Sequence, residues 1–320
     1  MKLGVLTVLF QDRPLDAALD QLVKMGVEAV ELGTGSYPGN AHCNPTELLK
    51  APAAIKAFRK NIEDRGLIIS GLSCHGNPIS PDKAFAAESD RVYRDTVRLA
   101  AAMEVPVVNL FSGCPGDSED AKYPNWVTCS WPPEYLKVLD WQWHEKVLPY
   151  WQEAGPFAEK AGVKLAFEMH PGFVVYNPET LLRLRNAVGP VIGANYDPSH
   201  LFWQGIDAVA SIHYLAGAIH HFHAKDTYMD PRNIAVNGVL DTKSYAQMAQ
   251  RSWTFRTVGF GHDQYTWRSI ISALRLVGYD YVVSIEHEDP LASIDEGLGK
   301  AVSFLKEVLL KEQPAAMWWA

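Results

Sequence analysis

KLAFEMHPG, residues 164–172, decides how the chain is read. An apolar run ends in a carboxylate, Glu168, and an imidazole, His170, just before the break at Pro171-Gly172. Side chains alternate faces along a strand, so Ala166, Glu168 and His170 share one face while Phe167 and Met169 share the other. Two titratable groups at the end of a buried strand need compensation, because an unpaired buried charge costs several kcal/mol or more.

Working outward, the same kind of apolar run recurs at 3–8, 27–33, 67–74, 105–111, 163–169, 191–197, 218–224 and 279–286. Helical patterns over 14–25, 45–65, 81–103, 142–161, 178–188, 205–216, 264–277 and 293–311 follow these strands in turn. SPDKAFAAE and NPETLLRL carry helix entries, a polar cap followed by Pro in the first turn. KMGV, DRGL, KAGV and LVGY are exits, where Gly closes a helix and an apolar strand begins. Eight strand–helix units in alternation predict parallel strands closed into an α/β (β/α)8 TIM barrel. The rival is a doubly wound open sheet, and no GxGxxG follows the first strand to support its dinucleotide-binding form. The reading is one barrel domain over residues 1–320. Insertions at about 112–141 and 226–263 follow strands four and seven, on the face where such barrels carry chemistry, and loops that long are usually functional. The apolar tail EQPAAMWWA is expected to pack on its own barrel or on a second subunit.

Of the 320 residues, 48% are hydrophobic and 21% charged, and the net charge is −8. That balance, with no basic run, argues against nucleic acid as a partner. No apolar stretch approaches the roughly 20 residues of a membrane span. The opening MKLGVLTVLFQDRPLD is too short in its apolar part for a signal peptide. Cys43, Cys74, Cys114 and Cys129 are scattered without a CxxC pair, as free thiols of a cytoplasmic protein would be.

The last four strands end alike: Glu168 and His170; Asp197 and His200 in NYDPSH; His221, His223 and Lys225 in HHFHAKD; Glu286, His287 and Glu288 in SIEHED. If the polar parity points inward, two Glu, one Asp and one His converge at the carboxyl end of the barrel. That donor set suits one hard or borderline divalent cation, Mn2+ first, with Mg2+, Co2+ or Zn2+ as alternatives. A single Glu or His at a strand end is ordinarily a hydrogen-bonded loop residue; four consecutive strands ending this way carry the inference.

FEMHPG, YDPSH, HFHAKD and IEHED resemble the strand-end motifs of the sugar phosphate isomerase/epimerase family, the xylose isomerase-like TIM barrel superfamily. VEAVELG, with Glu31, is similar to that family's second strand. The resemblance covers essentially the whole chain and does not specify a substrate. It implies that Glu168, Asp197, His223 and Glu286 hold the metal, and that the two glutamates form an acid/base pair on either face of the substrate. His200 and Lys225 resemble the family's substrate-binding polar residues. The insertion at 112–141, together with His170 and His287 beside the glutamates, departs from the pattern.

The chemistry so implied is removal of a proton next to a carbonyl, with a metal-stabilised enediolate. Protonation of the same carbon gives epimerisation, protonation of its neighbour isomerisation, and loss of a β-leaving group elimination. The catalytic candidates are Glu168, Glu286 and His170, since imidazole titrates near neutral pH. The substrate-binding candidates are Glu31, His75, Asn109, His200 and Lys225. Trp126, Trp131, Trp141, Trp143 and Trp203 are candidates to line a pocket, and His262 reads as a loop or helix-cap residue. The expected function is a divalent-metal-dependent sugar or keto-sugar isomerase or epimerase. The alternative is a lyase of the same fold cleaving a 3-keto-glycoside. A DNA-repair endonuclease on three zinc ions fits the acidic charge poorly. The partner expected is a small-molecule sugar or keto-sugar, lacking a phosphate because no Gly-rich phosphate loop is evident. A homo-oligomer is expected, or a hetero-subunit assembly.

Overall fold

Short apolar runs form the strands β1 (Lys2–Leu6), β2 (Ala29–Gly33), β3 (Ile68–Ser73), β4 (Val107–Leu110), β5 (Lys164–Glu168), β6 (Ile192–Tyr196), β7 (Ile219–Ala224), β8 (Asp226–Met229), β9 (Trp253–Arg256) and β10 (Val282–Ile285). The computed structural model describes residues 1–319, so Ala320 of the tail lies outside the described residues. Eight strands close a parallel barrel in the order β1-β10-β7-β6-β5-β4-β3-β2, with helices in the crossovers. The alternation in the sequence thus gives the expected (β/α)8 barrel. β8 and β9 stand apart as an antiparallel pair inside the second insertion.

Local chemistry sets the helix bounds. Asn177 starts Pro178–Val188 with a capping box, its Oδ1 accepting from Thr180 N, and Asp82 caps Lys83–Met103 by accepting from Ala84 N and Phe85 N. The helix expected over 45–65 is two pieces, Pro45–Leu48 and Pro52–Glu63. Pro52 forces Ala51 into extended backbone (φ −144°), which a continuous helix forbids. The helix expected at 142 begins at Glu134 and passes through a π-helical segment, Gln142–Val147, before continuing as Leu148–Lys160.

The outward faces of the strands are apolar: Leu165 and Phe167 are fully buried under the crossover helices, and Trp151 meets Phe167 edge-on at 4.6 Å. Burying a side chain of that size stabilises by roughly 1.5–3 kcal/mol. Branched aliphatics usually fill the inside of such a barrel. Here the inside is polar. Strand register places Ser73 beside Asn109, Asn195 between Glu168 and His221, and Ser284 beside His223. Gly71 makes room for this layer, since a Cβ there would sit 3.1 Å from Asn109 Nδ2.

Both insertions are pinned down. Asn77 and the backbone of Cys114 exchange two hydrogen bonds (2.8 and 3.0 Å), and Gln142 Nε2 donates to Gly116 O and Asn125 O. In the second, buried Asp226 accepts from the backbone of Gly259, Gly261 and His262, from His262 Nδ1 and from Trp267 Nε1. The tail differs from one of its expectations: Trp318 and Trp319 are 89% and 70% exposed, so neither packs on its own barrel. Among the described residues no helix is long and apolar enough to cross a membrane, and all four cysteines are free.

Candidate metal centre and active site

The carboxyl ends of β5, β6, β7 and β10 bring Glu168, Asp197, His223 and Glu286 together. Each offers a ligand atom, and these atoms lie within 4.8 Å of one another. The DPSH turn explains the aim of Asp197. It caps the helix Pro198–Phe202, with Oδ1 accepting from Ser199 N at 2.8 Å. Its other oxygen, Oδ2, is buried without a well-formed hydrogen bond, although Lys225 Nζ lies 3.2 Å away. The same turn carries His200 back so that its Nε2 donates to Glu168 Oε1 at 2.9 Å. His75 Nε2 lies 3.0 Å from the second oxygen, Oε2.

His223 is clamped from both edges. Nε2 is 2.9 Å from Glu31 Oε1, and Nδ1 is 3.1 Å from Glu286 Oε2 and 3.3 Å from Glu168 Oε2. Burial disfavours its charged form, yet Glu31 and Glu286 raise its pKa well above the usual imidazole value. Lys225 Nζ, 2% exposed, donates to Glu286 Oε2 at 2.7 Å and to Glu288 Oε2 at 3.3 Å. Against its burial, these carboxylates and Asp197 hold its pKa well above the lysine range. Even so, burial with Glu168 and Glu286 alongside pushes the Asp197 carboxyl up to about 7. Three carboxylates and an imidazole, with Asp197 Oδ2 buried and met only by ion-pair contacts from Lys225 (3.2 Å) and His200 (3.3 Å), fit a divalent cation by donor type and number.

The cavity over this cluster has a volume of about 400 Å3 and is bordered by Glu168, Glu286, Glu288, Lys225, His75 and His170 on its polar side. Phe111 and Phe173, stacked at 4.2 Å, form part of an apolar wall. Among the expected substrate-binding residues, His75 and Lys225 border the cavity. His200 borders the neighbouring cavity of about 550 Å3. Burial first, then the charges of His170 and Lys225, lowers its pKa to about 3, so the ring is neutral. His170 borders both cavities; its Nδ1–H donates to Pro171 O at 2.6 Å, and burial above all lowers its pKa. His170 N also donates to Glu168 O, a tight turn at the strand end.

Two expected substrate binders sit elsewhere. Glu31 and Asn109 are fully buried beneath the cluster and border neither cavity. Glu31 accepts from Ser73 Oγ, Asn109 Nδ2, His223 Nε2 and Ser284 Oγ, which uses both of its oxygens. Burial opposes its ionisation, but His223 and His221 hold its pKa far below the carboxylate range. Its place in the structure is under the His223 ring.

Reading the sequence alone missed Asn195, whose Nδ2 reaches Glu168 Oε2 (3.3 Å) and whose Oδ1 accepts from His221 Nδ1 (3.1 Å). It shares strand parity with Asp197, and that signal could have found it. Arg251, Trp253, Tyr245 and Phe255 of the second insertion were also missed. Of the expected pocket tryptophans, Trp126 and Trp203 border the larger cavity, whereas Trp131 is 73% exposed and Trp143 is packed in the core under Arg183. His262 is a loop residue bonded to Asp226 at 2.7 Å.

Residues 19–308 match the model of a protein family described as xylose isomerase-like TIM barrel. An uncharacterized protein of Bacillus subtilis (strain 168), YfiH, is 38% identical over 97% of this chain and 99% of its own length. Inosose dehydratase of Geobacillus thermodenitrificans (strain NG80-2) is 22% identical over 81% of this chain and 82% of the relative. In fold, the crystal structure of a D-tagatose 3-epimerase-like protein superposes with a TM-score of 0.64 at 19% identity, covering 96% of this chain and 97% of that one.

Proposed function

The chain belongs to the xylose isomerase-like TIM barrel family, and from that premise we propose that it is a divalent-metal-dependent isomerase or epimerase of a sugar or keto-sugar. One observation carries the reading: four ligand atoms from four consecutive barrel strands lie within 4.8 Å of one another, and two of those residues, Glu168 and Glu286, border a cavity of about 400 Å3. Glu168, Asp197, His223 and Glu286 are the residues that would hold the cation. Bound there, a divalent cation supplies Lewis acidity to a carbonyl and its neighbouring hydroxyl, with Mn2+ the first choice for this donor set.

The chain's own groups move the proton. Glu168, ionised between His75 and His200, takes a proton from the carbon next to the carbonyl. Burial opposes its charge, but hydrogen bonds from His200, His223 and His75 hold its pKa well below the carboxylate range, so it enters the step as a base. Glu286, reached by Lys225 and His223, is the partner for return of a proton at the opposite face. Return to the same carbon inverts it; return to the neighbouring carbon exchanges carbonyl and hydroxyl. His170, neutral and with Nδ1 committed to Pro171 O, keeps Nε2 as an acceptor for a substrate hydroxyl or for a relayed proton. The substrate in this reading is a small sugar or keto-sugar.

A second reading, elimination, has one specific observation behind it: the relatives include a dehydratase as well as an epimerase-like fold neighbour. The same proton abstraction followed by loss of a β-oxygen substituent would then give an unsaturated ketone. Product analysis separates the two. Incubation of the Mn2+-loaded protein with a panel of ketohexoses, ketopentoses and inososes is expected to give isomeric products of unchanged mass. A product lighter by water would install the lyase reading, and no product with any of them would overturn the isomerase reading for free sugars.

A further inference from the structure

We propose that the cavity between the two long insertions is a subsite for a second ring, one with an apolar face and oxygen acceptors, covalently attached to the sugar held over the carboxylate cluster. The proposal rests on the preceding reading that the cluster handles a sugar, and it extends the substrate class from free monosaccharides to glycosides. The cavity measures about 550 Å3, within the roughly 300–1,000 Å3 of small-molecule sites. Its neighbour over the cluster measures about 400 Å3, and His170 borders both, so the two cavities adjoin at that side chain.

The walls suit a ring with an apolar face and oxygen substituents. Trp203 and Trp253 stack at 4.7 Å with their planes 6° apart, and Tyr245 closes against Trp253 at 6.2 Å. Arg251, 3% exposed, is fixed by donating to Trp253 O and Lys243 O, and it lies 4.2 Å over Tyr245 and 4.7 Å over Trp253. Aromatic faces locked in this way form a rigid platform. The second observation concerns hydrogen bonds. The buried indoles of Trp151, Trp253 and Trp267 each donate to a carbonyl or carboxylate. The two other cavity-bordering indoles, Trp126 and Trp203, have buried Nε1 atoms with no partner among the described residues, and Trp203 is only 4% exposed. Indole nitrogen only donates, so a ring that displaces these side chains slightly would offer each an acceptor in a hydroxyl, ether or carbonyl oxygen. A second sugar and an oxygenated aromatic group share that chemistry.

Binding tests this without turnover. The purified, metal-loaded protein is titrated by tryptophan fluorescence and saturation-transfer NMR with methyl glucosides, 4-nitrophenyl glucosides (both anomers), maltose and cellobiose. At least one two-ring probe is expected to bind tenfold or more tightly than the matching methyl glucoside; an aryl response identifies a planar aromatic group, a disaccharide response a second sugar. Trp203→Phe keeps the aromatic face and removes the N–H, so it is expected to lower that preference three- to tenfold. Leu240→Trp, at a cavity-bordering side chain that is 66% exposed, is expected to fill the space and erase the preference while methyl glucoside binding is unchanged. Equal affinities for one-ring and two-ring probes, or a preference that survives both substitutions, would overturn the subsite. A two-ring preference in a protein that exchanges no sugar proton would leave the subsite standing and remove only the reading of the cluster's chemistry.

Discussion

Glu31 Oε1 lies 2.9 Å from His223 Nε2, and that contact decides which nitrogen of the ring can face a cation. A carboxylate at Nε2 keeps the proton there, so the Nδ1 proton, which faces Glu168 and Glu286, is the one that a bound cation would displace. Glu31→Gln removes the charge and sets an amide against the ring. Divalent-metal affinity is expected to fall about 10- to 100-fold, as for other groups that orient a metal-binding histidine. Calorimetric titration of Mn2+ into the apo protein checks this, and unchanged affinity would place Glu31 outside the metal's support.

Lys225 is the cation the chain itself brings to Asp197, Glu286 and Glu288. Lys225→Met leaves those carboxylates facing one another. Breaking one side of a buried charge set costs about 3–5 kcal/mol, so the metal-free variant should melt well below the wild type. Added Mn2+ should raise its melting temperature by more than it raises that of the wild type. Equal metal-induced shifts would mean that lysine and cation do not answer the same charges.

Asp226 holds the Gly259–His262 turn and the Trp267 indole through five hydrogen bonds while fully buried. Asp226→Ala would leave these donors unpaired at about 1–3 kcal/mol each, before relaxation. A total loss of roughly 3–5 kcal/mol is expected by urea denaturation, with hydrogen exchange accelerated first in residues 257–262. A loss under 1 kcal/mol would show that the turn stands without its anchor.

The barrel and the candidate metal ligands were legible in the sequence. Strand parity and Gly-terminated helices are local signals that gave the alternation and the polar faces ending in Glu168, His223 and Glu286, while the choice of Glu168, Asp197, His223 and Glu286 as a ligand set rested on the resemblance of the strand-end motifs. The contributions of Glu31, Asn109 and Asn195 depend on which side chain lies across the barrel, information that strand order and register create and no local pattern carries. The pair β8 and β9 escaped for another reason. Each strand is four residues long, and 23 residues separate Met229 from Trp253, so no turn motif joins them. Trp253, Tyr245 and Arg251 went unseen with it.

At the opposite end of the barrel His220 supplies a pH signature separate from the metal centre. Burial, then the charges of Lys164 and Arg185, lowers its pKa to about 4, and its Nε2 donates to Pro190 O at 3.2 Å. The folded pKa lies below the unfolded value of about 6.5, so folding excludes a proton. The stability so gained is fully present above pH 6.5 and is lost as pH falls towards 4. With partial solvent screening the term is about 1–2 kcal/mol. His220→Gln should flatten the stability profile over that window by this amount in paired urea titrations; parallel profiles would exclude the histidine as its source.

Solvent-proton exchange tests the central claim most directly. The Mn2+-loaded protein is incubated with keto-sugars in D2O, quenched, and the sugars are read by mass spectrometry. Deuterium is expected at the carbon next to the carbonyl, absent after chelation, restored by added Mn2+, and absent in the Glu168→Gln/Glu286→Gln double variant. Exchange that persists after chelation or in that variant would contradict a metal-dependent proton transfer by the two glutamates.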